Sequence, residues 1–255
     1  MELRGRSLWL IGASSGIGAA LAPELAAAGA MLAVSARREA ELEEVADAAA
    51  LRGVRPLVKP LDVTDLAAIE RVYGELKAAW GRVEIVFYNA GTWAETRPDN
   101  FNTHQAVNQI DVNLQGLVRT VGTVMPDLVA NRAGEIVGMA SIAGYAGMPR
   151  GAAYSASKAG VNAFLQSMRM ELRPYDVGVT TVNPGFVRSP LSDRNRFTMV
   201  FIMSAEDAAR IIVKGMLAGE TEIHFPKRLS WLMKGFTALP RPLYEMLAWR
   251  IMGGR

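Results

Sequence analysis

A serine, a tyrosine and a lysine stand close together in the stretch SIAGYAGMPRGAAYSASK, residues 141–158. Tyr154 and Lys158 are four residues apart, so on a helix they share one face. A phenol with a pKa of about 10 exchanges protons poorly at neutral pH, but a neighbouring ammonium favours the phenolate and lowers that pKa. With Ser141 aimed at the same oxygen, the three groups could move a proton to or from a carbonyl or alcohol while another group moves a hydride. The same Tyr–Lys spacing is also compatible with an exposed helix face.

Strands and helices are predicted to alternate along the chain. Apolar runs predict strands at 7–11, 31–36, 54–61, 83–88, 135–140, 177–183 and 221–225. Helices are predicted from the first glycine turn to about 29, at 39–51, from an Asp65 cap to about 80, at 103–125, through Tyr154 to about 172, and at 205–217. This alternation indicates an α/β fold of the doubly wound Rossmann type, with a single parallel sheet of about seven strands and helices on both faces.

The first strand is followed by a glycine-rich turn, Gly12-Ala-Ser-Ser-Gly16-Ile-Gly18, which opens a helix. Glycine allows a tight turn and lets the backbone approach a pyrophosphate, which rests on the helix N-terminus. The sequence therefore predicts a dinucleotide site at the carboxyl edge of the sheet.

The end of the second strand predicts which dinucleotide binds. An acidic residue there would bind the ribose hydroxyls of NAD. This chain has Ala36 followed by Arg37 and Arg38, and a guanidinium suits a 2′-phosphate. We therefore predict NADP(H) in preference to NAD(H), with Arg37 as the main contact and Ser14 as a second one. Both arginines could also be solvated at the start of a helix. Asp62 could meet the adenine or simply begin the next helix.

These motifs together resemble the classical short-chain dehydrogenase/reductase family, over roughly residues 4–225. The matching residues, in the family's order and spacing, are Gly12, Gly16, Gly18, Asn89-Ala90-Gly91, Asn113, Ser141, Tyr154, Lys158 and Pro184-Gly185. The resemblance implies that Tyr154 is the general acid/base and that Lys158 lowers its pKa and holds the nicotinamide ribose. It further implies that Ser141 stabilises the substrate oxygen and that Asn113 anchors a proton-relay water.

The resemblance and the glycine turn together imply a set of cofactor contacts around the cleft. Asn89, Ala90 and Gly91 would line the adenosine side, and residues 183–187 would border the nicotinamide. The full predicted set is Gly12, Ser14, Ser15, Gly16, Ile17, Gly18, Arg37, Asp62, Val63, Asn89, Ala90, Gly91, Tyr154, Lys158, Pro184, Gly185, Val187 and Ser189.

Three positions depart from the family pattern. Ile11 stands where a Thr is common and Tyr88 where an Asn is common, and both should affect packing more than chemistry. Arg150, just before Tyr154, could meet an anionic substrate or be solvated. Specificity is expected from the stretches 92–101, 143–151 and 190–203, the last with apolar side chains that could line a pocket or pack under a lid.

Composition excludes several other chemistries. The 255 residues contain no Cys, which rules out disulfides, thiol nucleophiles and Cys-ligated zinc. With only two His, no metal site is predicted, and a net charge of +3 is too small to indicate nucleic-acid binding. No signal peptide or membrane-spanning segment is predicted. A cysteine-free chain is compatible with the reducing cytoplasm, which is the predicted location.

Residues 226–255 are predicted to be an apolar and basic extension of a catalytic domain formed by residues 1–225, not an independent domain. Pro240 and Pro242 should break the extension into two short helices, which excludes one membrane-spanning helix. Its tryptophans and basic residues suit peripheral contact with a membrane. The apolar side could instead cover a subunit contact or the protein's own core. The family resemblance implies a homodimer or homotetramer, and apolar extensions in some members suggest a lipid-like or steroid-like substrate.

Two other functions are compatible with parts of the sequence. Gly12-Ala-Ser14-Ser-Gly16 also fits the nucleophile turn of a serine hydrolase, with Asp193 or Asp207 and His224 in the required order. That alternative leaves Arg37, Ser141, Tyr154 and Lys158 unexplained. A nucleotide-binding sensor on the same fold, without turnover, is the second alternative, although such proteins usually have a damaged catalytic set. The sequence therefore favours an NADP(H)-dependent enzyme that interconverts a carbonyl and a secondary alcohol.

Overall fold

Seven parallel strands form one sheet in the computed structural model, which describes residues 1–192, 199 and 201–253. In chain order the strands are Ser7–Ile11 (β1), Met31–Ser35 (β2), Leu57–Val58 (β3), Ile85–Tyr88 (β4), Gly134–Met139 (β5), Val177–Pro184 (β6) and Glu222–Phe225 (β7). Their spatial order within the described residues is β3-β2-β1-β4-β5-β6-β7. The order reverses between β1 and β4, which is where open α/β sheets bind ligands. The predicted doubly wound fold is confirmed.

Helices cover both faces of this sheet. Their bounds are Gly16–Ala27 (α1), Glu39–Ala50 (α2), Leu66–Trp80 (α3), Thr103–Ile110 (α4), Gly116–Asn131 (α5), Ala152–Leu172 (α6), Ala205–Leu217 (α7), Lys227–Thr237 (α8) and Arg241–Ala248 (α9). Leu8 and Leu10 of β1 belong to the core beneath α1, α2 and α7. Trp9 and Ile11 belong to the opposite core, beneath α3, α5 and α6. Because successive side chains alternate between two buried faces, all four residues after Ser7 in this strand are apolar.

Local sequence explains several helix boundaries. The Asp65 side chain accepts a hydrogen bond from the Ala68 amide and caps α3, as predicted. The buried side chains of α3 are spaced three and four residues apart, which gives the helix one apolar face. Ser204 caps α7 in the same way, by accepting from the Asp207 amide.

Two predicted elements differ from the structure. The strand predicted at 54–61 is only Leu57–Val58, because Pro56 and Pro60 flank it and lack the N–H that a sheet ladder requires. The helix predicted at 103–125 is instead α4, a π-helical segment at Asp111–Gln115, and α5, which continues past Pro126 to Asn131. The π-helical segment carries Asn113, and such segments are frequent at functional sites.

The extension after β7 folds as two short helices, as predicted. α8 and α9 are separated at Pro240, and a π-helical segment, Trp249–Gly253, follows α9. Among the described residues, no helix combines the length and apolarity needed to cross a bilayer.

Candidate active site

The carboxyl ends of β1, β4, β5 and β6 open into a cleft of about 580 Å³. Most predicted site residues line it, although they are far apart in sequence. Those that do are Gly12, Ser14, Ser15, Gly16, Ile17, Arg37, Asp62, Val63, Asn89, Ala90, Gly91, Ser141, Tyr154, Lys158, Pro184, Gly185, Val187 and Ser189. Gly18 and Asn113 lie behind this lining. The structure thus brings the glycine turn and the Ser–Tyr–Lys group to a single cleft.

The glycine turn needs glycine for two different reasons. Gly12 has a φ of +88° and Gly16 a φ of +55°, which side chains disfavour. A Cβ at Gly18 would collide with the Gly12 carbonyl, and one at Gly12 would collide with the Ala90 amide. The Asn89 side chain donates to the Gly12 carbonyl at 2.6 Å and ties β4 to this turn. The turn and the first residues of α1 therefore form a backbone cradle that fits a pyrophosphate.

Two arginines line the end of the cleft beside β2. The Arg38 guanidinium donates to Ser14 Oγ at 3.0 Å and pairs with Glu41 at 3.1 Å. Arg37 is 75% exposed along its side chain, and its guanidinium lies 4.0 Å from an Asp62 carboxylate oxygen. The other Asp62 oxygen accepts hydrogen bonds from the Thr64 amide and hydroxyl. Arg37 is thus loosely held. The contact between Arg38 and Ser14 was not predicted from the sequence.

Tyr154 lies in the first turn of α6, opposite the end of β5. Burial raises the pKa of its phenol, and a hydrogen bond with Ser141 opposes that rise. Ser141 Oγ also accepts from the Ala143 amide at 3.1 Å and lies 3.4 Å from the Pro184 carbonyl, to which it donates. The Ser141 and Tyr154 hydroxyls therefore lie close together inside the cleft. Two groups that donate to the same substrate oxygen need this arrangement.

Lys158 lies one turn further along α6 and is buried. Its ammonium donates to the Met139 carbonyl at 2.7 Å and is 5.9 Å from the centre of the Tyr154 ring. Burial lowers the pKa of Lys158 to about 8. The lowering of the Tyr154 pKa by Lys158 stays a prediction, whereas burial of the phenol raises its pKa.

Asn113 connects the cleft walls from behind. Its Oδ1 accepts from the Thr92 amide at 2.7 Å, while its Nδ2 donates to the Thr92 carbonyl at 3.0 Å and to Ser157 Oγ at 2.9 Å. The side chain is fully buried. Asn113 thus fixes the loop after β4 to α6, and its proton-relay water stays a prediction.

One aromatic residue next to Tyr154 was not singled out by the sequence. Trp93 packs edge-on against the Tyr154 ring, with ring centres 5.3 Å apart. It lies in the stretch predicted to set specificity, and its position after Asn89-Ala90-Gly91 was the available signal. Several other apolar side chains also line the cleft: Val112, Ile142, Met148, Pro149, Phe186 and Leu191.

Arg150 connects the loop before α6 with the loop after β4. Its side chain is less than one-third exposed and pairs with Glu95 at 3.6 Å. Its carbonyl accepts from the Thr96 amide at 2.7 Å. Arg150 is not among the residues that line the cleft. Arg150 thus joins two loops, and its contact with an anionic substrate stays a prediction.

The serine-hydrolase arrangement is not assembled. Ser14 follows β1, whereas His224 lies in β7, four strands away, which is about 19 Å at the usual spacing between strands. His224 packs against Trp231, and Asp207 bonds with Ser204 and Arg210. Asp193 lies outside the described residues, as do residues 194–198 and 200 of the predicted stretch 190–203. Within the described part of the chain, no three His, Asp or Glu side chains cluster as metal ligands would.

Comparison with known proteins identifies similar chains. A family model described as short chain dehydrogenase matches residues 7–199. An uncharacterized oxidoreductase of Myxococcus xanthus is 37% identical over 98% of this chain and 99% of its own. A fatty acyl-CoA reductase of Acinetobacter baylyi is 30% identical over 90% and 77%. An 11-beta-hydroxysteroid dehydrogenase-like protein 4A of Arabidopsis thaliana is 33% identical over 91% and 79%.

Solved structures share the fold at lower identity. A short chain dehydrogenase/reductase of Burkholderia phymatum, crystallised with NAD, superposes with a TM-score of 0.83 at 22% identity, over 92% of this chain and 93% of its own. A variant of actinorhodin polyketide ketoreductase, crystallised with NADPH, gives a TM-score of 0.78 at 24% identity, over 86% and 94%.

Proposed function

Because the chain belongs to the short-chain dehydrogenase family of oxidoreductases, we propose that it interconverts a carbonyl and a secondary alcohol with NADP(H), using Tyr154 as general acid/base. The observation that supports this most is the shared cleft. Ser141, Tyr154 and Lys158 line the same cavity as the glycine turn after β1. A proton-transfer group and a dinucleotide cradle are the two parts that such a reaction needs.

The proposed cofactor site runs from the Arg37 end of the cleft to Pro184 and Gly185. Bound there, NADP(H) supplies or accepts the hydride. The turn formed by Gly12 and Gly16 would hold its pyrophosphate. Arg37 would bind the 2′-phosphate, since its guanidinium is exposed and makes a long contact of 4.0 Å with Asp62. Of two proteins with this fold, one was crystallised with NADPH and the other with NAD. The preference of this chain for NADPH over NADH is therefore a matter for the titration below.

The proposed chemistry uses two hydroxyls and one buried cation. A raised pKa keeps Tyr154 protonated at neutral pH, so its phenol can donate a proton as negative charge develops on a carbonyl oxygen. The Ser141 hydroxyl donates to the same oxygen. With a pKa of about 8, Lys158 is mostly protonated at pH 7, and its buried charge favours the developing oxyanion.

A lipophilic substrate is proposed from the apolar side of the cleft. Trp93 packs on Tyr154, and four further apolar side chains line the same cleft: Ile142, Met148, Phe186 and Leu191. Two relatives carry the names fatty acyl-CoA reductase and 11-beta-hydroxysteroid dehydrogenase-like protein, and both names describe lipophilic substrates.

For the whole chain we propose a catalytic domain of residues 1–225 and an appended extension of residues 226–255, in a homodimer or homotetramer. Trp231, Met246, Trp249 and Ile251 of the extension are more than half exposed. Such a surface suits a subunit contact, with a peripheral membrane contact as the alternative. A cytoplasmic location stays a prediction of the sequence.

The proposed function is tested by titrating the purified protein with NADPH and NADH, followed by a panel of ketones and aldehydes from short-chain to steroidal. We expect NADPH to bind more tightly, and Arg37→Ala to weaken NADPH binding at least about tenfold while NADH binding is unchanged. Arg173→Ala, an exposed arginine after α6, is the matched control. If NADH bound more tightly than NADPH, the proposed role of Arg37 in binding the 2′-phosphate would be wrong. Binding without turnover of any carbonyl would favour the sensor, and binding of neither cofactor would reject the proposal.

A further inference from the structure

The loop between β5 and α6, residues 140–151, forms one wall of the cleft. Ser141 stands at its start, and Met148, Pro149 and Gly151 line the cavity near its end. The inner side of this loop is fixed to α6, since the Met148 amide donates to Ser155 Oγ at 3.3 Å. Its outer side faces the C-terminal extension.

The extension contacts this loop directly through α9. The Tyr244 hydroxyl donates to the Gly147 carbonyl at 2.8 Å, across 97 residues of sequence. Tyr244 is partly buried, and burial raises the pKa of its phenol, so the hydroxyl remains a donor at neutral pH. Gly147 immediately precedes Met148 and Pro149, so a restraint on its carbonyl acts on the residues that shape the cleft.

A second contact joins the loop to α8 through Glu222 of β7. One Glu222 oxygen accepts from the Tyr145 hydroxyl at 2.9 Å, and the other accepts from the Lys234 ammonium at 2.8 Å. The same ammonium lies 5.4 Å from the centre of the Tyr145 ring. Asn183, the first residue of the predicted nicotinamide border, also donates to Glu222, at 3.2 Å. Glu222 therefore links the extension, the loop and the end of β6.

We propose that the C-terminal extension is a positioning element of the substrate site, with Tyr244 and the Tyr145–Glu222–Lys234 cluster holding the loop 145–151 in place. This inference rests on the proposed function, because it assigns the cleft beside Met148 and Pro149 to a carbonyl substrate. The catalytic groups have other supports, since Lys158 is held by the Met139 carbonyl and Ser141 by the Ala143 amide. Loosening the loop should therefore weaken substrate binding and leave the proton transfer itself largely intact.

The test is Tyr244→Phe, which removes one hydroxyl and keeps the ring. We expect amide hydrogen exchange of the segment 145–151 to become about fivefold faster, the factor for losing one ordinary hydrogen bond. We expect KM for the carbonyl substrate to rise by about the same factor, with kcat and the NADPH Kd within twofold of wild type. Lys234→Met, which removes the second contact from the extension side, should change the same two quantities in the same direction.

Tyr175→Phe is the matched control, because Tyr175 is an exposed tyrosine in the turn after α6. It should leave both the exchange rates and KM unchanged. Unchanged exchange at 145–151 in Tyr244→Phe and Lys234→Met would overturn the proposal, as would faster exchange with an unaltered KM. If the wild type turned over no carbonyl, the proposed function would fail, and the exchange measurement alone would decide whether the extension holds the loop.

Discussion

At the scale of single residues, two opposing effects on the pKa of the Tyr154 phenol matter most for the proposed chemistry. Burial raises the pKa of the phenol, while its hydrogen bond with Ser141 acts in the opposite direction. The sequence predicted that Lys158 would lower this pKa, because a spacing of four residues implies a neighbouring charge but gives no information about desolvation. A neutral phenol still suits the proposed chemistry, since it can donate its proton when a carbonyl oxygen becomes basic.

Lys158 itself should make the stability of the protein depend on pH. Its folded-state pKa of about 8 lies below its ordinary value of 10.5, so between these values the unfolded chain binds a proton that the folded chain has lost. The free energy of unfolding should therefore rise with pH across this window. The full effect is roughly 3 kcal/mol, at about 1.4 kcal/mol for each pKa unit.

Urea denaturation at pH 7, 9 and 10.5 measures this effect. Lys158→Met should be more stable than wild type at pH 7, and the difference should shrink as the pH rises. Lys214→Met on α7, an exposed lysine in a helix, is the control and should give a difference independent of pH. A Lys158→Met advantage that stayed constant from pH 7 to pH 10.5 would show that the ammonium is not destabilised by burial.

At the scale of elements, the glycine turn decides whether the cleft can hold a dinucleotide. Gly18→Ala should abolish measurable NADPH binding. Its Cβ would collide with the Gly12 carbonyl and lie 2.6 Å from Nδ2 of the Asn89 side chain. Gly74→Ala, at a helical glycine of α3 with open space around it, is the matched control. It should bind NADPH like wild type and be slightly more stable.

Fluorescence titration with NADPH and a thermal melt on each variant distinguish a lost site from a lost fold. If Gly18→Ala bound NADPH with wild-type affinity, the cradle would not be the pyrophosphate site.

The sequence predicted an element most accurately where the residues that determine it lie within the element itself. β1 and α7 begin and end where predicted, because apolar pattern, caps and turns are complete within each segment. The brevity of β3 could have been foreseen from Pro56 and Pro60. The π-helical segment around Asn113 could not, because the apolar periodicity continues through it. The convergence of the site residues was predictable, because each follows a strand of a parallel sheet. The Tyr244–Gly147 contact was not, because it depends on how distant segments pack.

At the scale of the whole molecule, the extension presents two surfaces. Its inner surface contacts the loop 145–151 and β7, and its outer surface leaves Trp231 and Trp249 almost two-thirds exposed. Large exposed aromatic side chains are typical of a surface that binds another molecule. We expect that molecule to be a second subunit.

Replacing Met246 and Trp249 together by Ser should therefore reduce the sedimenting mass of the protein at micromolar concentration, because it removes apolar area from the contact. The paired control is Leu51→Ser with Val54→Ser, two exposed apolar residues on another surface. Sedimentation velocity gives the result. An unchanged oligomer whose binding to anionic vesicles was lost would assign this surface to a membrane instead.

The measurement that tests the central claim most directly is the turnover of Tyr154→Phe with NADPH and a carbonyl substrate of the wild type. Phe keeps the ring that packs on Trp93 but has no proton to give. We predict that kcat falls by about 10²–10⁴-fold, while NADPH binds as in wild type and Tyr175→Phe keeps full activity. A Tyr154→Phe variant that retained kcat within a few-fold of wild type would contradict the proposed role of the phenol and the account built on it.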